Sequence, residues 1–102
     1  MDFLKPLDSG FTVYSKSGCV NCVKVKALLK EKNANFLVID CDEYLLEDKL
    51  AFLQFIHLLV GKDYKMFPMV FLNGTFVGGY KETEEHFQRL EEKELDFDNT
   101  DF

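Results

Sequence analysis

Cys19 and Cys22 bracket Val20-Asn21 in a chain of 102 residues. Two thiols at this spacing fall within one helical turn, the arrangement that suits thiol–disulfide exchange. Their place in the chain matters as much as their spacing. Phe11-Thr12-Val13-Tyr14-Ser15 follows Ser9-Gly10 and is β-branched and aromatic, so it reads as a strand. Val20 to Glu31 carries Cys22, Val25, Leu28 and Leu29 near helical spacing, with lysines between them. It reads as an amphipathic helix starting at or just after Cys19. A thiol there faces unpaired backbone N–H groups and the positive end of the helix dipole. Both favour thiolate over thiol, so the sequence predicts a Cys19 pKa below the ~8.5 of free cysteine. Lys16, three residues upstream, adds a positive charge. Cys22, one turn into the helix, is expected to be more covered. Cys19 is therefore the expected attacking thiolate and Cys22 the resolving thiol.

The third cysteine, Cys41, follows the next strand and reads as a bystander. A structural zinc site needs four ligands. Cys19, Cys22, Cys41 and one of His57 or His86 would reach that number, but no second Cys-x-x-Cys or His-x-x-x-His accompanies them. No metal is expected.

The elements that must position the thiols follow. Phe36-Leu37-Val38-Ile39 is a continuous apolar run, the pattern of a strand covered on both faces. Strand, helix and strand within about thirty residues form a βαβ unit with parallel strands. Asp42 or Glu43 to about Val60 reads as a second helix, opened by acids and closed by Gly61. Its Leu46, Leu50, Leu53, His57 and Val60 trace one face, and further apolar residues make it apolar nearly all round. Lys62 to Phe67 reads as a loop. Asn73-Gly74 between Pro68–Leu72 and Thr75–Val77 predicts a tight type I′ hairpin. Thr83 is the expected N-cap of a third helix running to Leu90 or beyond. The order β-α-β-α-β-β-α predicts an α/β sandwich with a mixed four-stranded sheet.

Composition bounds the function. Hydrophobic residues make up 47% and charged residues 29%, which fits one folded domain with a real core. Net charge is −6, the wrong sign for tracking phosphates, so no nucleic-acid partner is expected. The last twelve residues hold six acids against one lysine. The sequence thus divides into a body, 1–90, and an acidic tail, 91–102, expected to end the last helix and then fray. No apolar run reaches the ~18 residues of a membrane span, and no membrane partner is expected. Three cysteines without a disulfide framework, and no secretory leader, suggest a reducing, cytoplasmic setting and a monomer.

Four separated pieces carry a resemblance: Thr12-Val13-Tyr14-Ser15-Lys16, Cys19-Val20-Asn21-Cys22, Phe67-Pro68-Met69-Val70-Phe71 and Gly78-Gly79-Tyr80. In this order they resemble the glutaredoxin family of the thioredoxin-like fold, over Phe11 to about Leu90. The resemblance implies a glutathione-dependent thiol–disulfide oxidoreductase. Its partners would be glutathione and disulfide-bearing or glutathionylated proteins, with ribonucleotide reductase among the candidates. It implies no tightly bound cofactor, glutathione being reductant and co-substrate. By position, Pro68 resembles the family's cis-proline facing the active cysteine. Phe67 would then offer its backbone to glutathione. Lys16 resembles the lysine that pairs with the glycyl carboxylate, and Gly79 with the residues after it resembles the segment holding the γ-glutamyl end.

The chain also departs from the family pattern. Val20 and Asn21 stand where Pro and Tyr are commonest, so the aromatic ring that often flanks the bound sulfur is replaced by Asn21. Met66-Phe67-Pro68 replaces Thr-Val-Pro. After Gly78-Gly79 the chain has Tyr80-Lys81-Glu82, where two acids are usual; Lys81 is a candidate partner for the α-carboxylate of glutathione and Glu82 for its amino group. Lys65 is a second candidate for the glycyl carboxylate. Three other functions fit parts of the sequence. Cys-Val-Asn-Cys is close to the Cys-Val-Gln-Cys of hydrogen-donor redoxins of ribonucleotide reductase, which are reduced by thioredoxin reductase. A glutathione-ligated [2Fe–2S] carrier is the second, opposed by Cys22 where such carriers typically have Ser. The third is a docking adaptor using the apolar second helix and acidic tail.

Overall fold

The computed structural model describes residues 2–100, and the side chains of residues 2–92. The elements are β1 (Phe11–Ser15), α1 (Val20–Glu31), β2 (Phe36–Asp40), α2 (Asp42–Val60), β3 (Met69–Leu72), β4 (Thr75–Gly78) and α3 (Tyr80–Thr100). The strands form one mixed sheet in the order β2-β1-β3-β4. β1 runs parallel to β2, pairing Phe11 with Phe36 through Ser15 with Asp40, and antiparallel to β3. β3 and β4 form the Asn73-Gly74 hairpin, with positive φ at both turn residues (51° and 82°), as a type I′ turn requires. The sheet and its three helices make the expected thioredoxin-like sandwich. The expected division between a body, 1–90, and a tail, 91–102, falls in part outside the described residues.

Alternation along β1 splits the core in two. Phe11 and Val13 pack with Val25 and Leu29 of α1, Val70, and Phe87 of α3. Tyr14 points the other way and packs with Ile39, Phe52 and Ile56 of α2, Met69 and Phe71. All five β1 residues are buried, so the strand that leads to Cys19 is fixed from both faces. The N-terminal segment adds a contact with no sequence signal: Phe3 lies edge-on to Tyr44 and Phe52.

Two expectations need correction, and the second helix shows which of its faces is covered. β2 is not covered on both faces: it is the edge strand, and Leu37 and Val38 are exposed. In α2 the Leu46–Leu50 line lies at the surface. Asp48 is non-helical (φ −155°, ψ 73°) and caps a fresh helical start by accepting from the Ala51 N–H at 3.1 Å. Phe52 and Ile56 are buried, while Leu46 and Leu50 are 86% and 70% exposed. Finally, Thr83 is not the N-cap of α3. The helix begins three residues earlier, and Thr83 is buried inside it, donating its hydroxyl to Gly79 O at 2.8 Å. Gly79 takes the cap position because Glu82 reaches back to accept its N–H at 2.7 Å, one half of a capping box.

Candidate active site

β1 ends at Ser15, and four residues later Cys19 is the N-cap of α1. Its backbone is extended (φ −107°, ψ 108°), which turns the side chain back over the first turn. Cys19 Sγ accepts the Cys22 N–H at 3.2 Å. The thiol thus occupies the place of a capping side-chain oxygen, where a negative charge is met by a free donor and by the helix dipole. Cys19 is partly exposed and Cys22 is buried, and all three cysteines are free. Burial pushes the Cys22 thiol up, and its side-chain hydrogen bond with Cys19 pushes in the same direction. A partly exposed sulfur facing the Cys22 N–H and a covered, proton-holding neighbour fit an attacking and a resolving thiol.

The loop 61–67 brings the second wall. The Phe67–Pro68 peptide bond is cis, as the resemblance implies. Phe67 O lies 3.6 Å from Cys19 Sγ, within reach of the thiol proton. Lys16 Nζ stands over the Phe67 ring, 5.4 Å from its centroid, and that ring stacks on Phe52. Lys16, Cys19, Phe67 and Pro68 therefore converge.

Gly79 forms the third wall. A Cβ there would meet Glu82 Oε1 at 3.4 Å, Pro68 O at 3.6 Å and Tyr64 Oη at 3.7 Å. This joins Pro68, Gly79 and Glu82 and adds Tyr64. At Gly78 the backbone has φ +133°, and a Cβ would collide with the Glu82 side chain at 2.7 Å, so only glycine fits under this carboxylate. The Tyr80 ring faces α1: Lys24 Nζ lies 5.8 Å from its centroid, and its hydroxyl donates to Glu84 at 3.0 Å. Asn21, Lys65 and Lys81 are exposed, and no ion pair ties either lysine among the described residues. The structure does not bring these three into the contacts that join the others.

Two features escaped the sequence. Tyr64 bridges the loop to Gly79 and Phe76, its ring 4.8 Å from that of Phe76. Its only signal was an aromatic residue in the loop before Pro68. Ser17 donates its N–H to Asp42 at 2.8 Å, and its hydroxyl also donates to that carboxylate. The parallel register explains the pairing: Ser15 lies opposite Asp40, so two residues on Ser17 meets Asp42. These bonds hold the Asp42 carboxyl below the usual range and pin the loop between β1 and Cys19.

Cys41 lies apart in chemistry. It is wholly buried, and burial is the main cause that pushes its thiol up to about 12, aided by the charges of Asp40 and Asp42. Among the described residues, no group of three or more His, Cys, Asp or Glu side chains is placed to hold a metal ion. Among them, too, no helix is long and apolar enough to cross a membrane.

Comparison with known proteins gives a consistent result. A family model described as Glutaredoxin matches residues 11–77. Human mitochondrial Glutaredoxin-2 is 33% identical over 76 residues, which cover 74% of this chain and 44% of the relative. Glutaredoxin 1 of Rickettsia conorii is 37% identical over 67 residues, 66% of this chain and 61% of that protein. The chain spans less than half the length of the mitochondrial relatives it matches. Among solved structures, the holo form of glutaredoxin C1 from Populus tremula x tremuloides superposes with a TM-score of 0.65 at 31% identity, covering 79% of this chain and 76% of that one. A buckwheat glutaredoxin–glutathione complex gives 0.65 at 26% identity, covering 78% and 68%.

Proposed function

The chain belongs to the glutaredoxin family, and from that premise we propose that it is a thiol–disulfide oxidoreductase that uses glutathione as reductant. One observation carries the reading: a partly exposed Cys19 sulfur caps α1, with the covered Cys22 one turn behind it and the Phe67 carbonyl 3.6 Å away.

In the proposed mechanism the Cys19 thiolate attacks the glutathione sulfur of a mixed disulfide. That S–S bond breaks, and the partner leaves as a thiolate that takes a proton from water. A second glutathione thiolate attacks the glutathionylated Cys19, giving oxidised glutathione and restoring the enzyme. With a protein disulfide, Cys22 instead attacks Cys19 Sγ and closes Cys19–Cys22, which glutathione later reduces.

For the glutathione site we assign Lys16 to the glycyl carboxylate, with Lys65 beside it. The Phe67 backbone, before Pro68, takes the peptide groups, and Asn21 flanks the sulfur. Gly79, Tyr80 and Lys81 receive the γ-glutamyl end. Glu82, which already accepts the Gly79 N–H, has to share or release that bond to take the ligand's amino group. The convergence of Lys16, Cys19, Phe67, Pro68 and Gly79 supports this assignment, as does the likeness to a glutaredoxin solved with glutathione. We further propose a monomer acting in a reducing, cytoplasmic setting, on protein disulfides and glutathionylated proteins, with ribonucleotide reductase one candidate.

NADPH-coupled reduction of a glutathione mixed disulfide tests the reading, run with glutathione plus glutathione reductase and separately with thioredoxin reductase. Turnover in the glutathione arm alone is expected. Turnover with thioredoxin reductase alone would replace it by a hydrogen-donor redoxin, and no turnover with a brown colour on anaerobic purification would favour a cluster carrier.

A further inference from the structure

The sheet order places β2 and β3 on opposite sides of β1. Cys19, just beyond the end of β1, is therefore flanked by two different surfaces. On the β3 side lie Phe67, Pro68 and Gly79. On the β2 side is a separate cleft of about 240 Å³. It shares Lys16 and Cys19 with the glutathione assignment and contains none of its other residues.

The walls of this cleft come from two elements. Val23 and Lys26 of α1 and Val38 and Asp40 of β2 line it, together with Cys19 and the turn that precedes it. Val23 and Val38 are exposed, an apolar pair with nothing covering it among the described residues. The lining carries two lysines against one aspartate. Lys30, four residues after Lys26 and exposed, extends the positive stripe along the same face of α1. This contrasts with a chain whose net charge is −6. The Asp42 carboxylate, held by Ser17 of the lining, offsets Lys16, so the positive groups left to an incoming chain are Lys26 and Lys30 on α1.

We propose that this cleft receives the polypeptide flank of a protein disulfide while one of its sulfurs is bonded to Cys19, and that it selects a flank bearing Asp or Glu. The inference rests on the oxidoreductase reading and adds the class of protein substrate. The Cys19 thiolate attacks one substrate sulfur, and the other leaves as a thiolate that takes a proton from water. The aliphatic part of the flank then lies on Val23 and Val38, with its carboxylate against Lys26. Cys22, having given its proton to water, attacks Cys19 Sγ and releases the second substrate sulfur, which is protonated in turn. Two electrons pass to the substrate, and the enzyme is left with a Cys19–Cys22 disulfide. Asp40 adds selectivity of the opposite kind by repelling an acid placed too close to β2.

The test compares two disulfide-bonded peptides that differ only in the flank, Glu-Glu or Lys-Lys, beside hydroxyethyl disulfide with glutathione as a substrate too small to reach the cleft. The wild-type protein should reduce the acidic peptide with a kcat/KM about fivefold higher at low ionic strength, a size suited to a solvent-facing charge contact. The preference should collapse in 0.5 M salt, where the Debye length is only a few ångströms, about 3 Å at 1 M. Lys26→Glu should reverse the preference and Lys26→Gln should erase it, both keeping hydroxyethyl disulfide turnover within about twofold, as expected of a surface charge outside the glutathione site. Equal rates on the two peptides with wild-type protein would overturn the proposal. So would a rise in the KM for glutathione in Lys26→Glu that matches the rise for the peptide, since the reductant would then use the cleft. Failure of the wild-type protein on hydroxyethyl disulfide would instead overturn the oxidoreductase reading itself.

Discussion

Cys19 and Cys41 hold the same topological position in neighbouring units. Each follows one strand of the parallel pair β1–β2, and each is the N-cap residue of the next helix. Their surroundings are nevertheless opposite. Cys19 has ψ 108°, which swings its sulfur onto the Cys22 N–H and leaves it partly exposed. Cys41 has ψ 4°, makes no side-chain cap and instead points into the core, its thiol 3.5 Å from Ile39 O. A difference in ψ accompanies a thiol that faces the Cys22 N–H and one surrounded by Tyr14, Phe52 and Ile56. A helix N-terminus therefore does not by itself bring a thiol to the helix's free N–H groups; the side chain must also be turned toward it.

The largest effects should separate the two positions completely. Cys19→Ser should bring turnover of a glutathione mixed disulfide down to the uncatalysed rate with an unchanged urea midpoint. Cys41→Ala should keep turnover within about twofold and lower stability by about 1 kcal/mol, the scale of losing a methyl-sized group from a packed site. An active Cys19→Ser would break the comparison at once. A smaller split sharpens the roles inside the Cys-x-x-Cys pair. Cys22→Ser should retain reduction of glutathione mixed disulfides and lose most reduction of protein disulfides, which needs the resolving thiol. Loss of both would reverse the assignment of the two thiols.

These positions also show how far the sequence reached. The bounds of β1 and α1 and the Asn73-Gly74 hairpin were legible because strong local signals agree with the fold. The pairing of Cys19 and Cys22 followed from spacing and from the strand-to-helix junction. The start of α3 was not legible: Thr83 carries a good capping side chain, but Glu82 binding the Gly79 N–H moves the cap upstream. The buried face of α2 was not legible, because the helix is apolar nearly all round and periodicity does not say which side the sheet covers. Ser17–Asp42 and Tyr64–Gly79 join residues far apart in sequence, and their juxtaposition depends on sheet register and the loop before Pro68.

The pH dependence of stability should differ at the two positions. Cys41 is raised in the folded state, from an ordinary value of 9.0 to about 12. Its thiol form contributes stability below the unfolded value, and that contribution is lost as pH rises from about 9 toward 12. Cys41→Ala should flatten this alkaline limb in urea titrations; an identical limb would mean that Cys41 ionises as freely as in the unfolded chain. Near Cys19 the effect is smaller and opposite in sign. Asp42 is held below its ordinary carboxyl value by Ser17. Its contribution is present above the unfolded value and is lost as pH falls through the lowered one. Asp42→Ala should weaken the acid limb only slightly, because this carboxylate is exposed, and should reduce turnover modestly by freeing the loop before Cys19.

The most direct measurement is residue-resolved alkylation of the native reduced protein with iodoacetamide at pH 7, followed by peptide mass spectrometry over time. Cys19 should be modified first, Cys22 far more slowly, and Cys41 only after urea is added. Modification of Cys41 in the native state at a rate comparable to that of Cys19 would contradict the account, because two N-cap thiols would then share one chemistry.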